Sequence, residues 1–126
     1  MYHNLLTRIK NGSLAKKESL ILPFSKMDFA IAKTLQKAKY LKDVNKKIVN
    51  RKNFIEIKLA YENKIPVINS FKIISKPSRH IYCPYRDLKS VKNGYGVGVI
   101  STPTGILSNI EARRKKVGGE YLFEVW

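Results

Sequence analysis

Hydrophobic residues recur at helical spacing in two places in the first third of the chain. Residues 2–9 carry apolar side chains at i, i+3, i+4 and i+7, which predicts a short amphipathic helix ending at Asn11 and Gly12. A second helix is predicted to begin at Ser25, a favourable N-cap, and Asp28 three residues later would complete a capping box. The apolar face of this second helix comprises Met27, Ala30, Ile31, Thr34, Leu35 and Ala38.

Strands are predicted between and after these two helices. The apolar run 20–22 stops at Pro23, as a brief edge strand would. Residues 40–49 read as a second strand, and a basic turn at 50–53 leads into a third strand over 54–61. Strict alternation in this third strand places one set of side chains on the inner face: Ile55, Ile57, Leu59 and Tyr61.

A polar segment, 62–64, is the predicted boundary between two lobes. The N-terminal lobe, 1–62, has the order αβαββ, and the C-terminal lobe, 63–126, is mainly β. Its first strand, 65–74, is weakened by Pro66, which cannot donate a ladder hydrogen bond. The pattern therefore predicts an α+β fold, in which the N-terminal lobe packs against a mainly antiparallel β lobe with a short helix.

The C-terminal lobe contains a predicted hairpin. Its first strand belongs to a glycine-rich stretch that starts at Gly94. Pro103 suits the first central position of the turn, and Gly105 can adopt the positive φ that lets the second strand return. A helical turn is predicted over 87–92, before this stretch. Ser108 and Glu111 form a second capping-box pattern, which predicts the start of a short helix. The glycine pair Gly118 and Gly119 predicts the end of this helix, and a last strand follows.

Charge separates this chain from an ordinary small domain. Its 126 residues include 25 Lys and Arg but only 9 Asp and Glu, a formal net charge of +16. Such a surface repels itself unless a polyanion neutralises it, so nucleic acid is the first candidate partner. A membrane is disfavoured because the cations are spread over every segment and no apolar run approaches about 20 residues. A merely basic soluble protein is the remaining alternative.

The residue inventory argues against catalysis, metal binding and cofactor binding. Cys83 is the only cysteine, so no intramolecular disulfide can form and a reducing compartment is expected. His80 and Cys83 form only half of a zinc-site pattern, and in an extended segment they point to opposite faces. The N-terminus lacks a secretory signal, and no phosphate-binding glycine loop is present. We expect no enzyme, no metal and no cofactor.

Hydroxyl and basic side chains around the hairpin favour RNA. Proteins recognise duplex RNA mainly through phosphates, 2′-hydroxyls and irregularities of the shallow groove. The hydroxyls at the tip suit that surface, although ordinary turn chemistry explains them too. Tyr82 beside Arg79 could stack on a base, although a tyrosine in a strand is often core. The candidate residues are Ser101, Thr102, Thr104 and Gly105 at the tip and Arg113 and Arg114 next to it.

Five ordered motifs resemble one family over essentially the whole chain. They occupy residues 6–12, 23–26, 75–82, 94–102 and 118–120. In these motifs the chain is similar to small-subunit ribosomal protein eight, the universal S-eight family in its bacterial form.

The resemblance implies a non-catalytic RNA-binding protein of the small ribosomal subunit. It would bind the central domain of the ribosomal RNA early in assembly, next to other small-subunit proteins, in the ribosome of the cytoplasm or of an organelle. The main grip would be Ser101, Thr102 and Gly105, with Glu120 nearby, and Lys26 belongs to a second matching motif. The messenger of the protein's own operon is a further implied partner.

Two departures from the family pattern concern the predicted contacts. The family commonly has Ser at the position of Pro103 and Lys or Arg at that of Thr104, and the first helix begins a few residues late. On the residues alone, a stand-alone RNA chaperone or translational repressor remains an alternative, and a nuclease is a weaker one.

Overall fold

The computed structural model of the chain describes residues 2–75, 78–88 and 96–126. Its contacts divide the chain into two compact units, 1–69 and 70–126. The predicted boundary, 62–64, lies in a tight turn between two short strands of the first unit. The architecture is α+β with antiparallel sheets, as predicted.

The N-terminal unit packs two helices on a three-stranded antiparallel sheet. Its elements are α1 (Tyr2–Leu14), β1 (Ser19–Pro23), α2 (Lys26–Lys37), β2 (Leu41–Val49), β3 (Lys52–Leu59), β4 (Tyr61–Glu62) and β5 (Ile65–Pro66). The sheet order is β1-β3-β2, so β1 is an edge strand as its short run ending at Pro23 predicts. The alternation in β3 gives the predicted result for Ile55, Ile57 and Leu59, which are buried, but β3 ends at Leu59 and Tyr61 is half-buried at the start of β4.

The C-terminal unit is built around its last strand. Its elements are β6 (Phe71–Ile73), β7 (Tyr82–Cys83), a 3₁₀ turn (Tyr85–Asp87), β8 (Val97–Thr102), β9 (Gly105–Ser108), α3 (Asn109–Arg114) and β10 (Gly119–Val125). β10 pairs with β8 along one edge and with β6 and β7 along the other, and β9 closes the sheet beyond β8. One face packs on a core of Leu88, Ile100, Leu107 and Ala112.

One predicted strand limit is wrong. The single strand over 65–74 is divided into β5 and β6, since Pro66 has no N–H to continue a ladder. The helical turn expected over 87–92 lies mostly outside the described residues; of its described residues, Asp87 ends the 3₁₀ turn and Leu88 follows it.

The helix ends also differ from prediction. α1 continues past Asn11 and Gly12 to Leu14, and α3 ends before the glycine pair. In all three described α-helices the left-handed residue after the end is a lysine, Lys16, Lys39 or Lys116, with φ between 56° and 68°. Each is closed by the paired hydrogen bonds of a Schellman motif, such as Lys17 N–H to the Gly12 carbonyl at 2.9 Å. A cation there also complements the helix dipole.

The two predicted capping boxes have different outcomes. At α3 the serine caps the helix, because the Glu111 N–H donates to Ser108 Oγ at 3.2 Å, and Ser108 Oγ in turn lies 3.5 Å from Glu111 Oε1. At α2, Ser25 is the N-cap residue but its side chain makes no capping hydrogen bond. Asp28 instead has a buried Oδ1 without a hydrogen-bond partner among the described residues, and this burial raises the pKa of its carboxyl group.

Candidate nucleic-acid interface

The hairpin between β8 and β9 has a two-residue tip. Thr102 pairs with Gly105, which leaves Pro103 and Thr104 exposed between them. Gly105 has φ of +126°, a conformation that side chains with a Cβ rarely adopt, so the prediction of a positive φ at this glycine is confirmed. Proline at the first central position and glycine at the return together fix the turn.

Hydroxyl groups inside the hairpin set its hydrogen-bonding polarity. Thr102 is only 9% exposed, and its Oγ1 donates to the Gly105 carbonyl at 2.7 Å. The Thr104 Oγ1 lies 3.0 Å from Thr102 Oγ1. Because Thr102 has a single hydroxyl proton, Thr104 must be the donor of this second bond. The exposed tip therefore presents the Thr104 oxygen as an acceptor.

The three hydroxyls predicted at the tip and the hydroxyl of Ser108 at the end of β9 do not have equal access to a ligand. Ser108 is 6% exposed and caps α3, and Thr102 is used inside the turn. Ser101 is half-buried, and its hydroxyl has no hydrogen-bond partner in the part of the chain that the structure describes. Ser101 and Thr104 are therefore the hydroxyls that can meet a ligand, while Thr102 holds the shape of the turn.

Four residues align across the sheet beside this tip. Glu120 of β10 pairs with Ser101 of β8 and with Tyr82 of β7, and Ser101 pairs with Ile106. Directly opposed residues of antiparallel strands place their side chains on the same face. Tyr82 is 73% exposed at one end of this row. We call these four residues, Tyr82, Glu120, Ser101 and Ile106, the polar row; its first three side chains are polar, and Ile106 at the other end is apolar.

Glu120 is held by a residue from outside the strands. Its Oε2 lies 2.9 Å from His80 Nδ1, and the two side chains are 21% and 49% exposed. The backbone next to His80 is fixed, because the Tyr121 N–H donates to the Ile81 carbonyl at 2.8 Å and the Ile81 N–H donates to Ser75 Oγ at 3.0 Å. The contact joins two parts of the chain that are 40 residues apart.

Gly119 and Ser75 position this site, and the sequence reading did not predict either role. A Cβ on Gly119 would lie 2.1 Å from the Ser101 carbonyl oxygen, so β10 approaches β8 this closely only with glycine. Ser75 is 2% exposed and donates to the Tyr121 carbonyl at 2.7 Å. The glycine pair before the last strand was a visible signal for the first role, whereas nothing local distinguished Ser75.

The remaining candidates are exposed cations and one residue in the other unit. Arg113 and Arg114 are exposed in the last turn of α3, and Arg79 is exposed before β7. Lys26 is exposed at the start of α2, in the N-terminal unit. Tyr85, in the 3₁₀ turn after β7, packs partly against the core of the C-terminal unit.

The groups that suggested catalysis are used otherwise. His80 contacts Glu120, and burial raises the pKa of the Cys83 thiol, which disfavours its reactive thiolate form. Within residues 2–75, 78–88 and 96–126, no three His, Cys, Asp or Glu side chains converge as metal ligands would. No helix in these described segments is long and apolar enough to cross a membrane.

Comparison with known proteins places this geometry in a family. The family model of ribosomal protein S8 matches residues 2–126. The small ribosomal subunit protein uS8 of Borreliella afzelii is 40% identical over 98% of this chain and 94% of its own length. The uS8 proteins of Rhizorhabdus wittichii and Zymomonas mobilis are each 39% identical, with the same coverage.

The chain belongs to the ribosomal protein S8 family. The resemblance seen in the five sequence motifs is thereby confirmed. A member of this family is a structural, RNA-binding constituent of the small ribosomal subunit and not an enzyme. Its partners are ribosomal RNA and other ribosomal proteins.

Proposed function

We propose that this protein binds the central domain of the small-subunit ribosomal RNA through the β8–β9 hairpin and the polar row, and so aids assembly of that domain. The C-terminal lobe, predicted from residue 63 and compact from Ser70, would be the specific RNA-binding lobe. The observation that carries the proposal is the inward hydrogen-bond chain from Thr104 through Thr102 to the Gly105 carbonyl, which leaves an acceptor at an exposed tip.

This polarity suits ribose rather than phosphate. Phosphate oxygens only accept hydrogen bonds, whereas a 2′-hydroxyl can also donate one. The Thr104 oxygen and the Glu120 carboxylate are acceptors, and the Ser101 hydroxyl can act in either sense. A row of acceptors at the tip would therefore bind 2′-hydroxyl and base N–H donors in the shallow groove of an RNA helix. DNA lacks the 2′-hydroxyl donors and should bind more weakly.

Cations outside the row would supply the binding energy that does not depend on sequence. With a net charge of +16, contacts to about six to ten phosphates are plausible in number, and affinity should then fall steeply with salt. Arg79, Arg113 and Arg114 would neutralise phosphates beside the hairpin, and Lys26 would do so from the N-terminal unit. Tyr82, with an exposed ring, would stack on an unpaired base.

Substituting both Ser101→Ala and Thr102→Val tests the hairpin. Affinity for an irregular helix from the RNA central domain should fall by about tenfold or more, because a hydroxyl contact and the brace of the tip are lost together. Binding to a regular RNA duplex of equal length should change by less than about threefold. Fluorescence anisotropy at several salt concentrations would measure both, with the DNA form of the same helix as a third probe.

A matched control removes two exposed hydroxyls from the N-terminal unit, Thr7→Ala with Ser19→Ala. This variant should bind all three probes like the parent. Equal losses on the irregular and regular RNA duplexes for the hairpin variant would remove the hairpin from its role. A salt slope near zero would remove the electrostatic part of the proposal.

The messenger of the protein's own operon is a second proposed ligand. A messenger segment with the same irregular helix would present the same donors to the polar row, so one surface would serve assembly and translational repression. A reporter preceded by that messenger segment should be repressed by the parent and released by the Ser101→Ala, Thr102→Val variant. Repression that is unaffected by this variant would separate the two roles.

A further inference from the structure

The carboxylate of Glu120 is an unusual group to place in an interface with a polyanion. It lies in the polar row between Ser101 and Tyr82, and its Oε2 contacts His80 Nδ1 at 2.9 Å. A bare carboxylate there would be repelled by nearby phosphates and would have to be held in one orientation to accept a hydrogen bond from RNA. Its role therefore depends on what neutralises and orients it.

His80 meets the requirement for orientation. An ionised carboxylate only accepts hydrogen bonds, so the Nδ1 of His80 carries the proton in this contact. That N–H fixes Oε2 and leaves Oε1 as the acceptor for a ligand. The histidine is itself anchored, since its neighbour Ile81 bonds to Ser75 on one side and to the backbone of Tyr121 on the other. The backbone that carries His80 is thus held beside β10, which keeps the imidazole within hydrogen-bond distance of Glu120.

We propose that His80 is a positioning residue for RNA recognition: it orients Glu120 so that the free carboxylate oxygen accepts a hydrogen bond from a ribose 2′-hydroxyl or a base N–H. This inference rests on the proposed function of the hairpin. It assigns to His80 an indirect role, through Glu120, which differs from the phosphate contacts expected of Arg79 beside it. Glu120 would then select hydrogen-bond donors of the RNA, and a phosphate group cannot take their place because its oxygens only accept hydrogen bonds.

A double-mutant cycle on the full chain separates these roles. Affinity for the irregular RNA helix would be measured for His80→Ala, Glu120→Gln and the variant carrying both. His80→Ala should weaken binding by about three- to tenfold, within the range for one ordinary hydrogen bond, because the carboxylate loses its orientation but is still present. In the Glu120→Gln background the same change should have less than about a twofold effect, because there is no carboxylate left to orient.

Two further variants serve as controls. His80→Arg also donates to a carboxylate and should retain affinity within about twofold of the parent. Arg79→Ala should weaken the irregular and regular RNA duplexes alike and lower the salt slope by about one, as a phosphate contact does. His80→Ala should leave the salt slope unchanged. Thermal unfolding of each variant would verify that the sheet is intact.

The outcomes are distinguishable. Equal losses from His80→Ala in the parent and Glu120→Gln backgrounds, with a lower salt slope, would mean that His80 contacts phosphate directly and would overturn the inference. Unchanged affinity for His80→Ala, with the expected loss for the Ser101 and Thr102 variant, would refute the inference alone and leave the proposed function standing. Unchanged affinity for both variants would refute the proposed function and this inference with it.

Discussion

The described residues form three hairpins with two-residue tips, and the two longer ones, β2–β3 and β8–β9, differ in nearly every other respect. In the N-terminal unit, β2 and β3 turn at Asn50 and Arg51, and all side chains over 45–53 are exposed. In the C-terminal unit, β8 and β9 turn at Pro103 and Thr104, and the residue before the tip is 9% exposed. The first hairpin projects into solvent, whereas the second is braced by its own hydroxyls.

The β2–β3 hairpin offers positive charge, whereas the β8–β9 hairpin offers a fixed geometry. The N-terminal hairpin carries the cations Lys46, Lys47, Arg51 and Lys52, of which Lys47 is paired with Glu56 at 3.3 Å. Exposed cations attract any polyanion and carry no geometric information. The C-terminal hairpin presents few charges but a fixed set of acceptors. We therefore expect the first to contribute to affinity for all RNA and the second to discriminate among RNA helices.

The largest expected effect comes from removing the support of the C-terminal hairpin with Gly119→Ala. The new Cβ would lie 2.1 Å from the Ser101 carbonyl, and backbone atoms cannot move aside without breaking the β8–β10 ladder. We expect a loss of about 3 kcal/mol in the free energy of unfolding, measured by chemical denaturation, together with the loss of discrimination between irregular and regular RNA.

Gly98→Ala is the matched control for this change. It introduces the same methyl group into a neighbouring strand, but there the closest atom is the Tyr121 hydroxyl, at the end of a side chain that can rotate away. The loss of stability should be smaller, at about 1 kcal/mol, because a side chain and not a backbone atom has to move, which disturbs the hydrogen bond from Tyr121 to Glu124 and part of the packing of its ring on the core. A Gly119→Ala variant as stable as Gly98→Ala would show that the strand approach is not limiting.

An intermediate effect is expected from neutralising the N-terminal hairpin with Lys46→Gln, Arg51→Gln and Lys52→Gln together. Affinity for irregular and regular RNA should fall alike, by about tenfold near physiological salt, and the salt slope should decrease by roughly two. Anisotropy titrations over a range of salt concentrations would measure both quantities. A loss confined to the irregular helix would assign discrimination to this hairpin and reverse the comparison.

The smallest effect concerns the backbone of the two tips. Arg51 has φ of +65°, where a Cβ is strained, so Arg51→Gly should stabilise the protein by about 0.5 to 1 kcal/mol. Gly105→Ala, at φ of +126°, should destabilise it by about 1 kcal/mol although its Cβ would meet no other atom within 4 Å. Arg51→Ala, which removes the charge and keeps the Cβ, controls for electrostatics. Thermal unfolding would rank the three variants, and equal effects of Arg51→Gly and Arg51→Ala would exclude backbone strain.

Local sequence signals predicted where most helices and strands lie, but they predicted only some of the side-chain contacts at the ends of these elements. The two predicted capping boxes illustrate this: Ser108 accepts a capping hydrogen bond from the Glu111 N–H, whereas Ser25, with Asp28 at the same spacing, accepts none. At α3 the cap residue is the last residue of β9, and the strand sets its backbone. At α2 the Asp28 carboxylate is partly buried instead. The spacing indicates that a cap can form, and packing around the first turn of the helix decides whether the capping hydrogen bond is made.

The predicted positions of the helix ends were wrong for a related reason. Sequence rules look for glycine after a helix, and here Lys16, Lys39 and Lys116 occupy the left-handed position in the described helices. The strain of a Cβ at positive φ is about 1 kcal/mol, small enough to be offset by the paired hydrogen bonds that close the turn. Glycine was thus neither sufficient evidence for a helix end, since α1 continues through Gly12, nor a necessary condition for one.

The sequence by itself determined the class of fold, the hairpin with Pro103 and Gly105, the strong positive charge and, through its motifs, the family. These properties depend on residue types and on spacings of a few positions, and they need no knowledge of distant contacts. Only the tertiary structure decided which hydroxyls stay accessible, that Gly119 must be glycine beside Ser101, and that His80 meets Glu120. Each of these is set by strand register, which brings together residues from distant parts of the chain, and register results from packing of the whole sheet.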